Sequence, residues 1–318
     1  MKNNLFTGLF LPLGALFIAA AVSLFCGQHN INWQNYADDP ILELRLIRIA
    51  AACTVGASLA LAGLLLQAVL RNVLAEPFTL GISGGASVGA AAAFVLNWHI
   101  ISCWAVPAMA LAGALLLLIV VLWIAAGKNS EGLLLSGVIA GTTASSILMY
   151  MVSIADRDEL AGVTWWMLGD LQSADERLLC GASLTVVAAA IIVKLFAREL
   201  NAVALGGEIA WNMGVNEKFF ARFFIVIASL LAAQTVALAG LIAFVGLIVP
   251  HLIRRFYPGD HRYLIFPAAL WGGCFLILCD WLARVIHPTY ELPVGVLTAA
   301  VGGGLFIYVL NCRKEKLL

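Results

Sequence analysis

The chain has 318 residues, with 18 basic and 18 acidic side chains and a formal net charge of zero. Hydrophobic residues make up 63% and charged residues 11%, and the mean hydropathy is +0.99. Soluble domains carry about 25% charged residues, so a soluble enzyme is excluded; with no Lys/Arg run longer than two residues, so is a nucleic-acid partner.

Taken in chain order, the elements predict an all-α polytopic membrane protein, one transmembrane domain over residues 1–318 embedded in the lipid bilayer. A spanning helix needs about 20 mostly apolar residues. Ten such runs fall near 5–26, 46–70, 77–96, 101–126, 133–155, 176–196, 219–239, 241–256, 265–286 and 293–311, the third Gly-rich and the eighth short. The first run is longer than the 7–15-residue apolar core typical of a signal peptide and lacks a small-x-small cleavage site, so it reads as an uncleaved span. With the N-terminus inside, the cytoplasmic segments collect most of the basic residues, from Lys2 to Lys316. The outer side keeps Arg45, Arg48, Arg157, Arg177 and Arg284. That bias predicts both termini in the cytoplasm; the membrane expected is the bacterial inner one. The outer loops around 28–43 and 156–176 are acidic, with Asp38, Asp39, Asp156, Asp158, Glu159 and Asp170.

Two segments between spans are long enough to act. The outer stretch 156–175 contains Val163-Thr164-Trp165-Trp166-Met167-Leu168-Gly169, which suits an interfacial or re-entrant helix, since Trp favours the membrane interface. The inner stretch 197–218 is the longest cytoplasmic loop, where a partner pushing from inside would push.

Charges at the span ends break the pattern. Arg45 and Arg48 share a helical face at i, i+3, and Arg284 ends the ninth span. Either they snorkel to headgroups or they form a fixed cationic patch for an acidic docking protein or an anionic ligand. Asp280 lies well inside a span, where a charge is costly unless paired. Arg284, four residues on, makes a structural Asp280–Arg284 pair the favoured reading over a proton relay. Gly81-Ile82-Ser83-Gly84-Gly85 puts small residues on every face of the third span, for close packing or for lining a path. Gln67 and Gln234 are expected to form interhelical hydrogen bonds. The seven cysteines show no paired ligand spacing and read as buried, inert thiols, so no metal site is expected. Gly127-Lys128 lacks the rest of a P-loop; if transport is ATP-driven, a separate subunit binds the ATP and Mg²⁺, and no cofactor is expected in this chain. Ala60-Leu61-Ala62-Gly63-Leu64 recurs as Ala237-Leu238-Ala239-Gly240-Leu241, a weak hint of an inverted repeat.

Longer motifs carry a family resemblance. They are Leu44-Arg45-Leu46-Ile47-Arg48, Gly56 to Gly63, Gln67, Leu70-Arg71-Asn72-Val73-Leu74-Ala75-Glu76-Pro77 and Leu80-Gly81-Ile82-Ser83 in the first half. In the second half they are Val236 to Gly240, Phe244-Val245-Gly246-Leu247-Ile248-Val249-Pro250-His251, Asp260-His261-Arg262, Asp280-Trp281-Leu282-Ala283-Arg284 and Glu291 to Thr298. From about residue 43 to its end the chain resembles the FecCD-type permeases, which include subunits of vitamin B12 and ferric-siderophore importers.

The resemblance implies a type II ABC importer permease fold with ten spans. It also implies a second permease copy or a paralogue, two cytoplasmic ATPase subunits and an extracytoplasmic substrate-binding protein. Arg45, Arg48 and Arg284 match the family's docking arginines. Leu205, Gly206, Gly207, Glu208, Ala210, Met213, Gly214 and Val215 match its ATPase-contacting loop, and Gly81, Ser83, Gly84 and Gly85 a part of its translocation path. Ferric siderophores are the first cargo expected, with haem, cobalamin and oxyanions such as molybdate open. The chain departs from the family at Ile47 and Val73, where Pro is usual, at Gly207, where an acid is common, and at Leu241 and Ala243. Two rivals are an ion-coupled carrier built on Asp280 and an intramembrane serine protease using Ser83 with His251 as base.

Overall fold

A computed structural model describes the backbone of residues 4–27, 40–128, 130–172, 175–257, 259–287 and 290–314, with side chains between residues 9 and 307 of these. Lys2, Asp38, Asp39 and Lys316, assigned above to loops and termini, lie outside the described residues. The described residues form α-helices, one 3-10 turn and no strand.

The ten spans expected from hydropathy each coincide with a helix. These are α1 (Asn4–Phe25), α2 (Pro40–Val69), α3 (Ile82–Val95, entered through a 3-10 turn at Pro77–Leu80), α5 (Ala105–Ile124), α6 (Ser130–Ile154), α8 (Glu176–Leu195), α11 (Glu217–Ala239), α12 (Val245–Phe256), α13 (His261–Val285) and α14 (Val294–Lys314). By length and composition, α2, α5, α6, α8, α11 and α13 are able to cross a membrane. Four shorter helices complete the set: α4 (Trp98–Ile101), α7 (Arg157–Leu168), α9 (Ala197–Leu205) and α10 (Gly207–Asn212). The 156–175 segment is thus largely helical, and the 197–218 loop is two short helices meeting at Gly206.

Polar residues set the helix starts. The Asp175 carboxylate accepts the Arg177 and Leu178 N–H groups at 2.8 and 3.2 Å ahead of α8, and Asn216 accepts the Phe219 N–H at 3.2 Å ahead of α11. Each satisfies N–H groups that a first turn leaves unpaired. Gly240, at φ +67°, ends α11 in a conformation that L side chains resist.

α2 is the central helix. Its apolar window is 83% buried, against 28% for α5 and 33% for α6 and α8. Glycine makes this possible, because bilayer helices associate by close backbone approach. A Cβ on Gly56 would overlap the Gly272 carbonyl of α13, and one on Gly63 would overlap the Gly246 carbonyl of α12. Two interhelical glutamine bonds support the same centre. Gln67 Nε2 donates to the Gly246 carbonyl at 3.1 Å, and Gln234 Nε2 to Ser58 Oγ at 3.3 Å. By contrast α5, α6 and α8 expose Leu116, Trp123, Ile139, Met149, Leu184 and Val187, the outward apolar face of helices against lipid or another membrane chain.

Two expectations are corrected. Ala60–Leu64 lies in the interior of α2, whereas Ala237–Leu241 straddles the end of α11, so the sequence echo does not mark equivalent positions. Of the described cysteines, Cys274 and Cys279 are buried, but Cys26, Cys103 and Cys180 are exposed on the chain's surface.

Candidate functional site

The outer arginines belong to a buried charge cluster. Asp280, 1% exposed, accepts at Oδ1 from Arg48 Nε (3.2 Å) and Nη2 (2.8 Å). Its Oδ2 lies 3.1 Å from Arg284 Nε, an ion pair without hydrogen-bond alignment. Arg48 Nη1 reaches Glu291, whose side chain is 44% exposed, at 2.5 Å. Arg284 Nη2 donates to Ser23 Oγ, and Arg45 Nη1 to the Leu24 carbonyl at 2.6 Å. The last bond places a cation at the C-terminal end of α1, where unpaired carbonyls and the helix dipole favour it.

Arg45, Arg48 and Arg284 are 6, 6 and 7% exposed. Two of the guanidinium groups share a buried carboxylate, and all three bond within the chain, so the arginines are fixed by internal partners. One carboxylate against two guanidinium groups, with Glu291 as a second acid, is an internal lock between α2, α13 and the segment before α14. Both Asp280 oxygens face guanidinium groups, Oδ1 through hydrogen bonds and Oδ2 through an ion pair alone.

Beside this lock lies an outer cavity of about 670 Å³, lined by Trp104, Trp165, Trp166, Asp170, Asp175 and Glu291 among others. Three chain ends build its floor. Asp170 N–H donates to the Ala239 carbonyl at 3.0 Å, tying the exit of α7 to the end of α11. A Cβ on Gly295 would overlap the carbonyls of Leu168 and lie close to that of Leu241, so the start of α14 packs against the same corner. Sequence reasoning named Trp165, Trp166 and Asp170, passed over Trp104 and Asp175, and assigned Glu291 to a motif without a role. Their convergence depends on α7, α11 and α14 meeting, which no local pattern announces.

The small residues of α3 serve packing first. A Cβ on Gly85 would come 2.7 Å from Leu117 Cβ of α5, and one on Gly81 would come 3.1 Å from the Gly137 carbonyl of α6. Gly81 and Gly85 are buried, while Ser83 and Gly84 are half-buried and are the two of the four that a path could touch. Ser83 sits on α3, which packs on α5 and α6, whereas His251 sits on α12, which packs on α2 and α13.

In the segment read as cytoplasmic from the charge pattern, Gly206 turns the chain between α9 and α10 at φ +114°. Around it Leu205, Ile209, Trp211 and Met213 are 61, 45, 79 and 56% exposed, an apolar surface beside exposed Glu208, while Ala210 is fully buried. Gly214, exposed at φ +75°, closes the corner before half-buried Val215. Arg71, at the end of α2, donates to Glu217 Oε1 at 3.0 Å. The Glu217 carboxylate lies against Gly207, so the corner keeps an acid although position 207 lacks one. The same bond ties the exposed corner to the central helix.

The FecCD transport family model matches residues 15–311. The cobalamin import system permease protein BtuC of Halobacterium salinarum is 37% identical over 312 residues, 97% of this chain and 82% of that protein. The vitamin B12 import system permease protein BtuC of Yersinia enterocolitica is 36% identical over 277 residues, 86% of this chain and 82% of its own length. A solved structure described as a metal-chelate type ABC transporter in an inward-facing conformation superposes with a TM-score of 0.87 at 28% identity, covering 96% of this chain and 98% of that one. The helices, their order and these similarities agree: the chain belongs to the FecCD transport family and is an integral-membrane permease subunit of an ABC importer, without an ATPase site of its own.

Proposed function

We propose that this chain, paired with a second copy or a paralogue, carries a metal enclosed in an organic chelate across the inner membrane, and that the cargo is a corrinoid. The observation that carries this reading is the outer cavity. Tryptophan faces offer planar apolar surface, and the carboxylates of Asp170, Asp175 and Glu291 offer hydrogen-bond acceptors and disfavour anions. A corrinoid, planar and rimmed with carboxamide donors, suits both. Haem shares the flat ring, but its propionates meet the acidic side chains, and oxyanions such as molybdate suit neither feature. The cobalamin importers among the relatives support the same order. A ferric siderophore, the first expectation from the resemblance, is the second reading, supported by the likeness to a metal-chelate type transporter.

In this reading an extracytoplasmic binding protein delivers the chelate, and two cytoplasmic ATPase subunits, which bind ATP and Mg²⁺, act on the corner at 205–215. Docking at Arg45, Arg48 and Arg284 requires an exchange of partners: a carboxylate of the binding protein takes the place of exposed Glu291 on Arg48. The test is uptake of radiolabelled cobalamin, ferric siderophores and haem by cells with and without the gene. Loss of cobalamin uptake alone is expected. Loss of a ferric chelate with cobalamin uptake intact overturns the corrinoid cargo. No change for any of them overturns the chelate reading, and uptake that survives ATP depletion but not an uncoupler points to an ion-coupled carrier.

A further inference from the structure

A second cavity, of about 1040 Å³, opens at the opposite, basic end of the helices, between the end of α5, the start of α6, the end of α2 and the start of α11. Its lining is graded along the helix axes. On α11, Lys218 and Arg222 sit four residues apart and share a face, and Ile225 and Val226 follow one turn deeper. On the α5 side, Leu122 and Trp123 occupy the last helical turn, and Lys128 lies beyond it. Both walls therefore run from apolar within the bundle to cationic at its edge.

The charges are available. Arg71 is paired with Glu217, but among the described residues Lys128, Lys218 and Arg222 have no ion-pair partner. The lining holds four basic side chains against two acidic ones, Glu131 and Glu217. Trp123 is 78% exposed beside the mouth, where a tryptophan marks the boundary between headgroups and acyl chains.

We infer that this cavity binds an anionic phospholipid of the cytoplasmic leaflet. The phosphate lies among Lys128, Lys218 and Arg222, and an acyl chain runs along Leu122, Trp123 and Val226. Basic pockets between transmembrane helices on the cytoplasmic side take anionic headgroups for this reason. The lipid would brace the start of α11, which directly follows the exposed corner at 205–215.

Native mass spectrometry on the full chain in its assembly, reconstituted with phosphatidylglycerol and phosphatidylcholine in equal parts, tests this. Retained phosphatidylglycerol is expected to exceed phosphatidylcholine on the order of a hundredfold, the scale set by roughly 1 kcal/mol for each of three unpaired cations near an anionic headgroup. The variant K128Q/K218Q/R222Q is expected to lose the preference. A221W, which keeps every charge but fills the cavity wall, is expected to lose the retained lipid. A wild-type ratio equal to the bulk, as expected if an ATPase subunit or a second copy covers the cavity, overturns the inference. So does a preference that survives the triple variant, or retention undiminished in A221W.

Discussion

Gln67 donates to the Gly246 carbonyl, the one carbonyl in the first turn of α12 that Pro250, four residues on, leaves without its helical partner. Proline has no N–H to give, and α2 supplies the missing donor from its side chain. The second oxygen of the contact is used as well, because Gln67 Oε1 accepts from Arg254 Nη1 at 2.6 Å. One amide thus holds both a proline-broken turn and a cation at the other end of α12. Gln67→Leu is expected to leave the buried carbonyl and the half-buried guanidinium short of partners, at a cost of about 1–3 kcal/mol. A lowered thermal midpoint in detergent checks this; an unchanged midpoint would mean that water replaces the amide.

Asp280 has a larger role, because two buried guanidinium groups depend on it. Removing one partner of a buried pair costs roughly 3–5 kcal/mol, since the other charge is left uncompensated. Asp280→Ala is therefore expected to remove most folded protein, as read by size-exclusion chromatography of the solubilised chain. Arg284→Met is expected to be milder, because Arg48 still meets the carboxylate. If Asp280 served instead as a proton carrier, Asp280→Ala would fold normally and lose only transport.

How much of this was legible in the sequence follows from distance along the chain. The ten apolar runs, the Asp280–Arg284 spacing and the two intramembrane glutamines are local or compositional, and the structure holds a helix or a bond at each. Arg48 and Asp280 are 232 positions apart, and nothing in either neighbourhood says that they meet. Charge counting placed Arg45, Arg48 and Arg284 on the outer side but could not tell a surface cation from one folded over its own carboxylate. The glycines were ambiguous for a related reason: a small residue that lets helices touch and one that lines a path have the same composition. Only the partner backbone, such as the Gly272 carbonyl against Gly56, separates the two.

That contact yields its own prediction. Gly56→Val and Gly63→Val would drive side chains into the carbonyls of Gly272 and Gly246, and backbone cannot yield as a flexible side chain can. Overpacking of this kind typically costs about 1–3 kcal/mol or more, so both variants are expected to yield little folded protein. Gly181→Val, whose Cβ direction is open, is expected to accumulate normally in the same expression assay.

Arg71 and Glu217 test transmission through the inner corner. Their side chains are 45% and 30% exposed, and an exposed pair contributes less than about 1 kcal/mol, so stability should barely move in Arg71→Glu. Its position between α2 and the 205–215 corner makes the expected loss one of coupling: ATPase activity of the assembled transporter would no longer respond to loaded binding protein. Adding Glu217→Arg restores opposite charges and is expected to recover the response. A double variant as uncoupled as the single one would show that the pair does not carry the signal.

Asp260 gives a pH dependence whose sign is fixed by its bonds. It precedes α13 outside the apolar run, and its Oδ1 accepts from the Arg262 N–H at 2.9 Å and from Asn201 Nδ2 of α9 at 2.7 Å. Partial burial pulls the carboxyl upward, but those two bonds and the Arg262 charge outweigh it and hold it below the usual aspartate value. A carboxylate depressed on folding contributes stability above its unfolded value, near pH 3.9, and that stability is lost as pH falls through the lower folded value. The site is partly exposed, so screening keeps the contribution below about 1 kcal/mol. Asp260→Asn keeps an acceptor for the helix start and removes the charge. Wild type is therefore expected to have the higher thermal midpoint at neutral pH, with the gap closing below about pH 4. A gap that stays constant on acidification would assign the difference to geometry and remove the carboxylate from the account.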